Sequence, residues 1–579
     1  MSDMQHPRGT NARVLLTSIF GPFAQDDAYG SRSINPMELY HNQVTRVQGP
    51  FSLRMFHRSW SIMMIQHNID APCTVIDFPS LEQFIEEIRA TRYDIIGISS
   101  IISNIGKVRK MCELVREHQP QCTIVVGGHV ANIPDIRARI DADHVVRGDG
   151  ISWLRKFLGQ DESAPITHPA IYAGFGARSM GIPISPRLSD TAAVLIPSVG
   201  CPMGCNFCST SAMFGGKGKF KNFFESGEEL FQVMCGLEER MKVRSFFVMD
   251  ENFLLHRARA LELLDLMRSH EKSWALYVFS SANALRAYTM EELIGLGISW
   301  VWMGLEGENS SYVKLRGTDT HALVKDLQSN GIRVLGSTII GLESHTPENI
   351  DDAIDYAVRH ETDLHQFMLY TPVPGTPLYA EHLSKGTILD NVDLADIHGQ
   401  YRFNFLHPRI SREQSEEYLL RAFRRDYEIN GPSIMRIMRT LLQGWQRHRN
   451  HPEKRIRERF RQDAKALPTV FAGALWAMER YFRGSNPGVT SKVRSLREAL
   501  GREFGLKARL AGPVCGSVIH YALTREENRL NRGWTYQPEM FVERRNWDPL
   551  TAPSHQPARP PLSRKGTGES LPVRAPHPA

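Results

Sequence analysis

The 579 residues are too many for one hydrophobic core and imply two or three domains. Hydrophobic residues make up 42% and charged residues 23%, as in ordinary globular chains, and no apolar stretch approaches the roughly 20 residues that span a bilayer. The net charge of +6 is modest for this length and does not by itself argue for nucleic acid. Met1 to Arg13 is polar and lacks the apolar centre of a secretory signal. Of eight cysteines, Cys73, Cys112, Cys122, Cys235 and Cys515 are scattered, which does not resemble a disulfide framework. A cytoplasmic protein is expected.

From about residue 12 to 160, short apolar runs alternate with helical stretches. Arg13-Val14-Leu15-Leu16, Cys73-Thr74-Val75-Ile76, Asp94-Ile95-Ile96-Gly97-Ile98 and Thr123-Ile124-Val125-Val126 read as buried strands, with a weaker fifth at His144-Val145-Val146. Leu81 to Ala90 and Val108 to Glu117 carry helical periodicity between them. Near-continuous apolar strands alternating with helices predict a Rossmann-like α/β domain over residues 1–160, its parallel sheet covered on both faces.

The same grammar repeats six times from about 190 to 375. Its strands are Val194 to Ser198, Phe246 to Met249, Leu276 to Phe279, Trp300 to Leu305, Val334 to Ile340 and Phe367 to Tyr370. Helical segments such as Glu228 to Met241, Leu261 to His270 and Ile350 to Arg359 separate them. Six βα units without reversal predict a partial (β/α)6 barrel over residues 185–385, with its chemistry at the C-terminal ends of the strands. From 386 to 548 strands stop and a helical domain is expected; 549–579, rich in Pro, Ser and Arg, is expected to be a disordered tail.

The remaining three cysteines form Cys201-Pro-Met-Gly-Cys205-Asn-Phe-Cys208, directly after the first barrel strand. Three thiolates on one short loop can hold three irons of a 4Fe-4S cubane and leave the fourth iron open. A small molecule bearing an amine and a carboxylate can chelate that open iron. A structural zinc site would want a second pair of ligands nearby, and none follows.

This spacing, with the aromatic Phe207 just before the third cysteine, resembles the radical S-adenosylmethionine (SAM) superfamily. Gly304-Leu305-Glu306, Arg316-Gly317-Thr318, Ile339-Ile340-Gly341 and Pro374-Gly375-Thr376-Pro377-Leu378 resemble the family's recurring core elements. Asp250-Glu251-Asn252-Phe253 ends the second strand, where the family places the group that touches the SAM amine. The fifth-strand motif usually opens with Gly, and here Ser337 stands in its place. The resemblance implies a 4Fe-4S cluster on Cys201, Cys205 and Cys208, and SAM contacts from Phe207, Asp250, Glu251, Glu306 and Gly341. It also implies reductive SAM cleavage to a 5′-deoxyadenosyl radical, fed by an electron donor such as flavodoxin or ferredoxin. Asp250 and Glu306 can equally be strand-end carboxylates that cap a helix or pair with a cation.

The first domain resembles the cobalamin-binding domain that precedes many radical SAM cores. The residues that carry this are Asp94 to Ser100, Val125-Val126-Gly127-Gly128-His129 and Val146-Arg147-Gly148-Asp149-Gly150. Glycines at strand ends let backbone approach a flat ligand, and serines there can bond its tail. Ser99, Ser100, Gly127, Gly128, Gly148 and Asp149 are the expected contacts. Domains that ligate cobalt use an Asp-x-His-x-x-Gly segment in the first βα loop. Here that loop instead holds an insertion with Gly30-Ser31-Arg32 and Tyr40-His41-Asn42. Cobalamin is therefore expected without a histidine on cobalt; the alternative is a relic sheet that binds none.

In the helical region, Ile434, Ile437, Met438, Leu441, Leu442 and Trp445 share one helical face, and Arg436, Arg439 and Arg447 lie opposite. This helix can pack on the barrel with a solvated basic face, or lie on a membrane beside a lipid-like substrate; nucleic acid is the weakest reading. The expected reaction is C-methylation of a hydrophobic small molecule or lipid, with methyl transfer from methylcobalamin to a substrate radical. The alternatives are a radical SAM cyclase or carbon–carbon coupling enzyme, and a cluster- or cobalamin-binding sensor. No catalytic side chain beyond the cofactor ligands is assigned.

Overall fold

The computed structural model describes residues 5–34, 43–184, 190–306, 319–549 and 552–553. Tyr40-His41-Asn42, Arg316-Gly317-Thr318 and nearly all of the 549–579 tail lie outside the described residues.

The five predicted N-terminal strands form one parallel ladder. Cys73–Asp77, Val14–Thr17, Ile95–Ser99, Thr123–Gly127 and His144–Val145 lie side by side in that order, with Val14 opposite both Cys73 and Ile95. Successive side chains point to opposite faces. Leu15, Ile76, Ile96 and Ile124 enter one apolar cluster and Val14, Val75, Ile95 and Val125 the other, so both faces demand apolar residues.

Two features depart from the sequence reading. A sixth strand, Phe541–Arg545, pairs antiparallel with Cys73–Asp77, so strands do not end near 385. Its Phe-Val-Glu-Arg-Arg pattern is too short and charged to resemble a buried strand, as befits a sheet edge. Its Arg544 lies 3.1 Å from the buried Glu87 carboxylate. A small antiparallel sheet of Arg54–Phe56, Phe175–Ser179 and Ile182–Pro183 was also illegible, because none of its strands exceeds five residues.

All six barrel strands form. Ala193–Leu195, Ser245–Val248, Ala275–Ser280, Ile298–Gly304, Arg333–Ile340 and Leu364–Leu369 pair in sequence, every neighbour parallel. The first and last do not pair, so the barrel stays open. Phe246, Val248, Leu276, Val278, Val301 and Val334 face the helices, among them Gly227–Met241 and Arg257–Ser269. Capping boxes at Ser226/Glu229 and Thr289/Glu292 start two of the barrel helices. The predicted first strand, Val194 to Ser198, splits: Pro197 has no N–H to continue the ladder, and the chain turns into a hairpin of Ser198–Gly200 with Phe220–Asn222.

The C-terminal helices include Arg412–Asn430, Ser433–His448, Lys454–Asp463, Ala472–Phe482, Pro487–Phe504 and Leu506–Asn531. Among the described residues no helix is long and apolar enough to cross a membrane. The expected basic face of Ser433–His448 is reduced to the exposed Arg447, because Arg436 and Arg439 are engaged elsewhere. Arg436 is fully buried and grips Asp426 through both guanidinium nitrogens at 2.8 and 3.0 Å, with a further bond to the Thr362 carbonyl at 2.8 Å. Arg439 reaches Glu361 at 2.9 Å, while Arg455 and Arg459 bond the carbonyls of Gly295 and Ile294. The basic run therefore clamps the helices to the barrel's rim.

Replacing Arg436 by Met strands a buried carboxylate and is expected to lower the unfolding free energy in urea by about 3–5 kcal/mol. Arg439→Met, at a partly exposed pair, should cost no more than about 1 kcal/mol. Equal losses would mean that Arg436 is as solvated as Arg439.

Candidate functional site

The hairpin that follows Pro197 frames the cysteine loop. Cys208 caps the helix Ser209–Met213, and its Sγ accepts the Ser211 N–H at 3.4 Å. Gly204 has φ +68°, and a Cβ there would lie 2.5 Å from the Lys217 Cβ. Gly218 donates to the Pro202 carbonyl at 3.0 Å, so the glycine- and lysine-rich loop 215–219 lies directly on the cysteine loop. All three thiols are half-buried. Burial, with Glu251 and the other two thiols nearby, pushes Cys201 up to about 11, and burial raises Cys208 as well. Metal coordination reverses such a shift, because a bound thiol is deprotonated outright. Among the described residues no three His, Cys, Asp or Glu side chains converge as around a single ion. A cubane takes one iron per thiolate, so it does not require the three thiols to meet at one ion.

Beside this loop lies a cavity of about 290 Å³, into which the ends of the N-terminal strands also open. Ser99, Gly127, Gly128, Gly148 and Asp149 line one side; Gly200, Thr210, Met249 and Glu251 line the other. Gly128, at φ +80°, has no room for a side chain, since a Cβ would sit 2.5 Å from the Ser100 carbonyl oxygen. Gly127 and Gly148 are different: a Cβ would meet nothing closer than 3.8 and 3.7 Å, so their missing side chains leave open space beside the cavity. The buried Trp60 indole N–H and Ser100 hydroxyl have no partner among the described residues; Trp60 lines the cavity, and Ser100 follows the lining Ser99. A flat ligand edged with amide oxygens fits such a cradle. Asp149 is engaged elsewhere. It caps the helix Gly150–Phe157 through the N–H of Ile151 and accepts Lys221 at 2.5 Å.

The neighbouring carboxylates Asp250 and Glu251 part company. Asp250 is buried against Arg259 at 2.7 Å and accepts the Asn252 N–H. Glu251 lines the cavity at its exposed side, where desolvation by the surrounding walls and the Asp250 charge push its carboxyl up to about 7. Glu306 is buried at φ +48°, just past its strand. Gly341, at φ +72°, is held to glycine by the Phe403 ring, 2.4 Å from where a Cβ would be. Phe207 packs beside the apolar cluster of Ile340 and Phe403. Ser337 donates to Gln366 at 2.6 Å. The structure thus gathers Glu251 and the glycine-bearing strand ends around one cavity, with Gly200 and Thr210 flanking the cysteine loop beside it, whereas Cys201, Cys205, Cys208, Ser100, Phe207, Asp250, Glu306 and Gly341 are not part of its lining.

Several residues here escaped the sequence reading. Trp60, Met64 and Ile65, from the helix Trp60–His67, form a wall of the cavity. His129 lines it too, with Nε2 3.2 Å from the Thr210 hydroxyl. Turned away from the barrel helices is an aromatic wall: Tyr277 stacks on Trp300 at 5.6 Å, Phe279 on Trp302 at 5.1 Å, and Phe247 meets Tyr277 at 4.7 Å. The period-two pairs Tyr277-x-Phe279 and Trp300-x-Trp302 were the available signal.

Comparison with known proteins gives the same two parts. The B12 binding domain model matches residues 54–158 and the radical SAM superfamily model matches residues 195–357. Relatives include a bacteriochlorophyllide d C-8(2)-methyltransferase of Chlorobaculum tepidum, 23% identical over 56% of this chain and 75% of its own. A hopanoid C-2 methylase of Rhodopseudomonas palustris is 24% identical over 64% of this chain and 71% of its own. An anaerobic magnesium-protoporphyrin IX monomethyl ester cyclase of Rubrivivax gelatinosus is 21% identical over 57% and 64%. The chain carries a cobalamin-binding domain and a radical SAM domain, and it is an enzyme.

The two adjacent glycines supply a test. Gly128→Ala forces a side chain into backbone at positive φ and should cost about 1–3 kcal/mol. It should also cut the cobalamin that survives gel filtration at least tenfold, read from its visible absorbance. Gly127→Ala, with space at 3.8 Å, should leave stability nearly unchanged.

Proposed function

We propose that this radical SAM enzyme, with its B12 binding domain, methylates an unactivated carbon of a hydrophobic small molecule or lipid. The observation that carries the reading is the cavity between the two domains: the glycine-bearing strand ends of the first sheet line it together with Glu251 and with Gly200 and Thr210, the residues that flank the cysteine loop. Cys201, Cys205 and Cys208 would hold the 4Fe-4S cluster, and Ser99, Ser100, Gly127, Gly128 and Gly148 the cobalamin, with Asp149 shaping the strand end. When bound, the cluster and SAM supply the hydrogen-abstracting radical, and cobalamin supplies the methyl group. A one-electron donor such as flavodoxin or ferredoxin is the expected partner.

The chain's own residues have definable tasks. Glu251, a cavity-facing carboxyl held near neutrality, is the natural partner for an ammonium, which would draw it into its ionised form. Asp250 acts one step back: tied to Arg259, it fixes the strand end from which Glu251 projects. Phe207, Glu306 and Gly341 remain the candidates for the rest of the SAM site, with Gly341 admitting the Phe403 ring. The aromatic wall of Tyr277, Phe279, Trp300 and Trp302 excludes water and favours a flat or elongated apolar substrate. The cyclase relative keeps ring closure as a second reading.

Anaerobic incubation with SAM and a strong reductant separates these readings. Without substrate, a methylating enzyme releases one equivalent of S-adenosylhomocysteine per bound cobalamin as the carrier is loaded, beside uncoupled 5′-deoxyadenosine; a cyclase or coupling enzyme with idle cobalamin releases 5′-deoxyadenosine alone; a sensor yields neither and would overturn the proposal. Ala at any of the three cysteines should lower both products at least a hundredfold, whereas Glu251→Gln should chiefly raise KM for SAM, by about tenfold (~1.4 kcal/mol).

We also infer that no histidine binds cobalt. The Asp-x-His-x-x-Gly segment is absent, and the His129 Nε2 already faces a hydroxyl. Electron paramagnetic resonance of the cobalt(II) protein should lack nitrogen splitting from a lower ligand, and His129→Ala should leave the spectrum unchanged. Nitrogen splitting that disappears in His129→Ala would identify His129 as a ligand after all.

A further inference from the structure

The longest helix, Leu506–Asn531, has one buried face and one conspicuously bare one. Ala508, Gly512, Gly516, Ile519 and Leu523 point inward. Gly516 lets this helix touch Trp476 of Ala472–Phe482, since a Cβ there would lie 2.5 Å from the indole, and Gly473 lets that helix approach Cys515 equally closely. On the outer face Leu506, Leu510, Val514, Val518 and Tyr521 are 70, 59, 71, 67 and 66% exposed. Their spacing of four, four, four and three places them in a single stripe. Val470, 44% exposed, lies on the π-helical turn Leu467–Phe471 that packs beside the same helix. Scattered surface leucines need no explanation, but a continuous stripe of this kind does.

The charges on the stretch of helix that carries the stripe have one sign. Lys507, Arg509 and Arg525 are exposed on this helix, and no Asp or Glu occurs from Gly505 to Arg525. The acids that come next are turned inward and bonded: Glu526 accepts the Tyr536 hydroxyl at 2.7 Å and Glu527 the Tyr481 hydroxyl at 2.6 Å. Glu503, just before the helix, accepts the Trp445 indole N–H at 2.9 Å and is paired with Arg449.

We propose that the outer face of Leu506–Asn531 docks on an anionic lipid surface, the apolar stripe entering the headgroup boundary and Lys507, Arg509 and Arg525 meeting lipid phosphates. An apolar line flanked by cations is the pattern of an interfacial helix. A second copy of this chain is a poorer occupant, because a two-fold contact would set these cations against their own kind. The chain's own residues 554–579 are poorer still. They bring Arg559, Arg564, Lys565 and Arg574 against a single Glu569, and only Leu562, Leu571 and Val573 as large aliphatic side chains. Docking would bring a soluble catalyst to apolar substrate without a membrane-spanning segment, though the proposal does not depend on the reaction.

The test is co-sedimentation of the full-length holoenzyme with phosphatidylcholine vesicles, with or without one-fifth phosphatidylglycerol, at low and high salt. The wild-type protein should pellet with the anionic vesicles at low salt. Pelleting should fall at least tenfold without phosphatidylglycerol, and should weaken as salt screens the cations. Val514→Asp/Val518→Asp should abolish binding. Lys507→Glu/Arg509→Glu/Arg525→Glu, which leaves the apolar stripe intact, should reduce it at least tenfold, and decides the matter if the first variant misfolds by circular dichroism. Negligible pelleting under all conditions, or pelleting unchanged in the charge-reversed variant, overturns the proposal. So does a wild-type dimer in gel filtration that Val514→Asp/Val518→Asp splits, which would make the stripe a contact between copies.

Discussion

Lys221, on the hairpin behind the cysteine loop, reaches Asp149 at 2.5 Å, while His129 bonds Thr210 and Asn132 bonds the Ser209 carbonyl at 3.1 Å. These contacts fasten the loop bearing Cys201, Cys205 and Cys208 to the glycine-bearing strand ends of the first sheet. They hold one wall of the cavity in place: if the loop moved away, Gly200 and Thr210 would leave with it, while Glu251 would stay on the barrel. Two cofactors that must act on one substrate need fixed separation, and short polar contacts between rigid elements provide it better than apolar packing, which tolerates sliding.

The same economy of position governs the charged residues. Arg436 with Asp426 and Arg259 with Asp250 are buried pairs, each made with further hydrogen bonds to backbone carbonyls, while Nε of each arginine has no partner among the described residues. Pairs of this kind contribute little net stability but penalise any arrangement that separates them. One joins the helices Arg412–Asn430 and Ser433–His448, with the Thr362 carbonyl tying them to the start of the last barrel strand; the other ties the end of the second barrel strand to the helix that follows it. Glu251, next in sequence to Asp250, has no such cation and is left to the cavity.

Much of the architecture was legible from the residues. A β-strand covered on both faces must be apolar at every position, so the five N-terminal strands and the six barrel strands stood out as runs. The cysteine loop was equally plain, because cluster ligation by three thiolates is a local requirement written in eight consecutive residues, Cys201 to Cys208. Edge strands such as Phe541–Arg545 carry no such demand. They are half solvated and too short for a periodic pattern to accumulate, so pairing with Cys73–Asp77 could be seen only in three dimensions.

What tertiary structure alone decided was the direction in which side chains point. Arg436 and Lys507 are both cations on amphipathic helices, and composition gave no reason to treat them differently. One is buried on Asp426 and the other is exposed beside Leu506 and Leu510. The sequence suggested the first helix for the surface, and the fold presents the second. Likewise Asp250 and Glu251 are adjacent carboxylates at one strand end, yet only Glu251 reaches the cavity. Periodicity and ligand spacing are properties of short segments and survive in a linear text. Whether a charge finds a buried partner depends on how whole elements pack, even where the partner is only ten residues away as Asp426 is from Arg436, and that is settled only when the chain has folded.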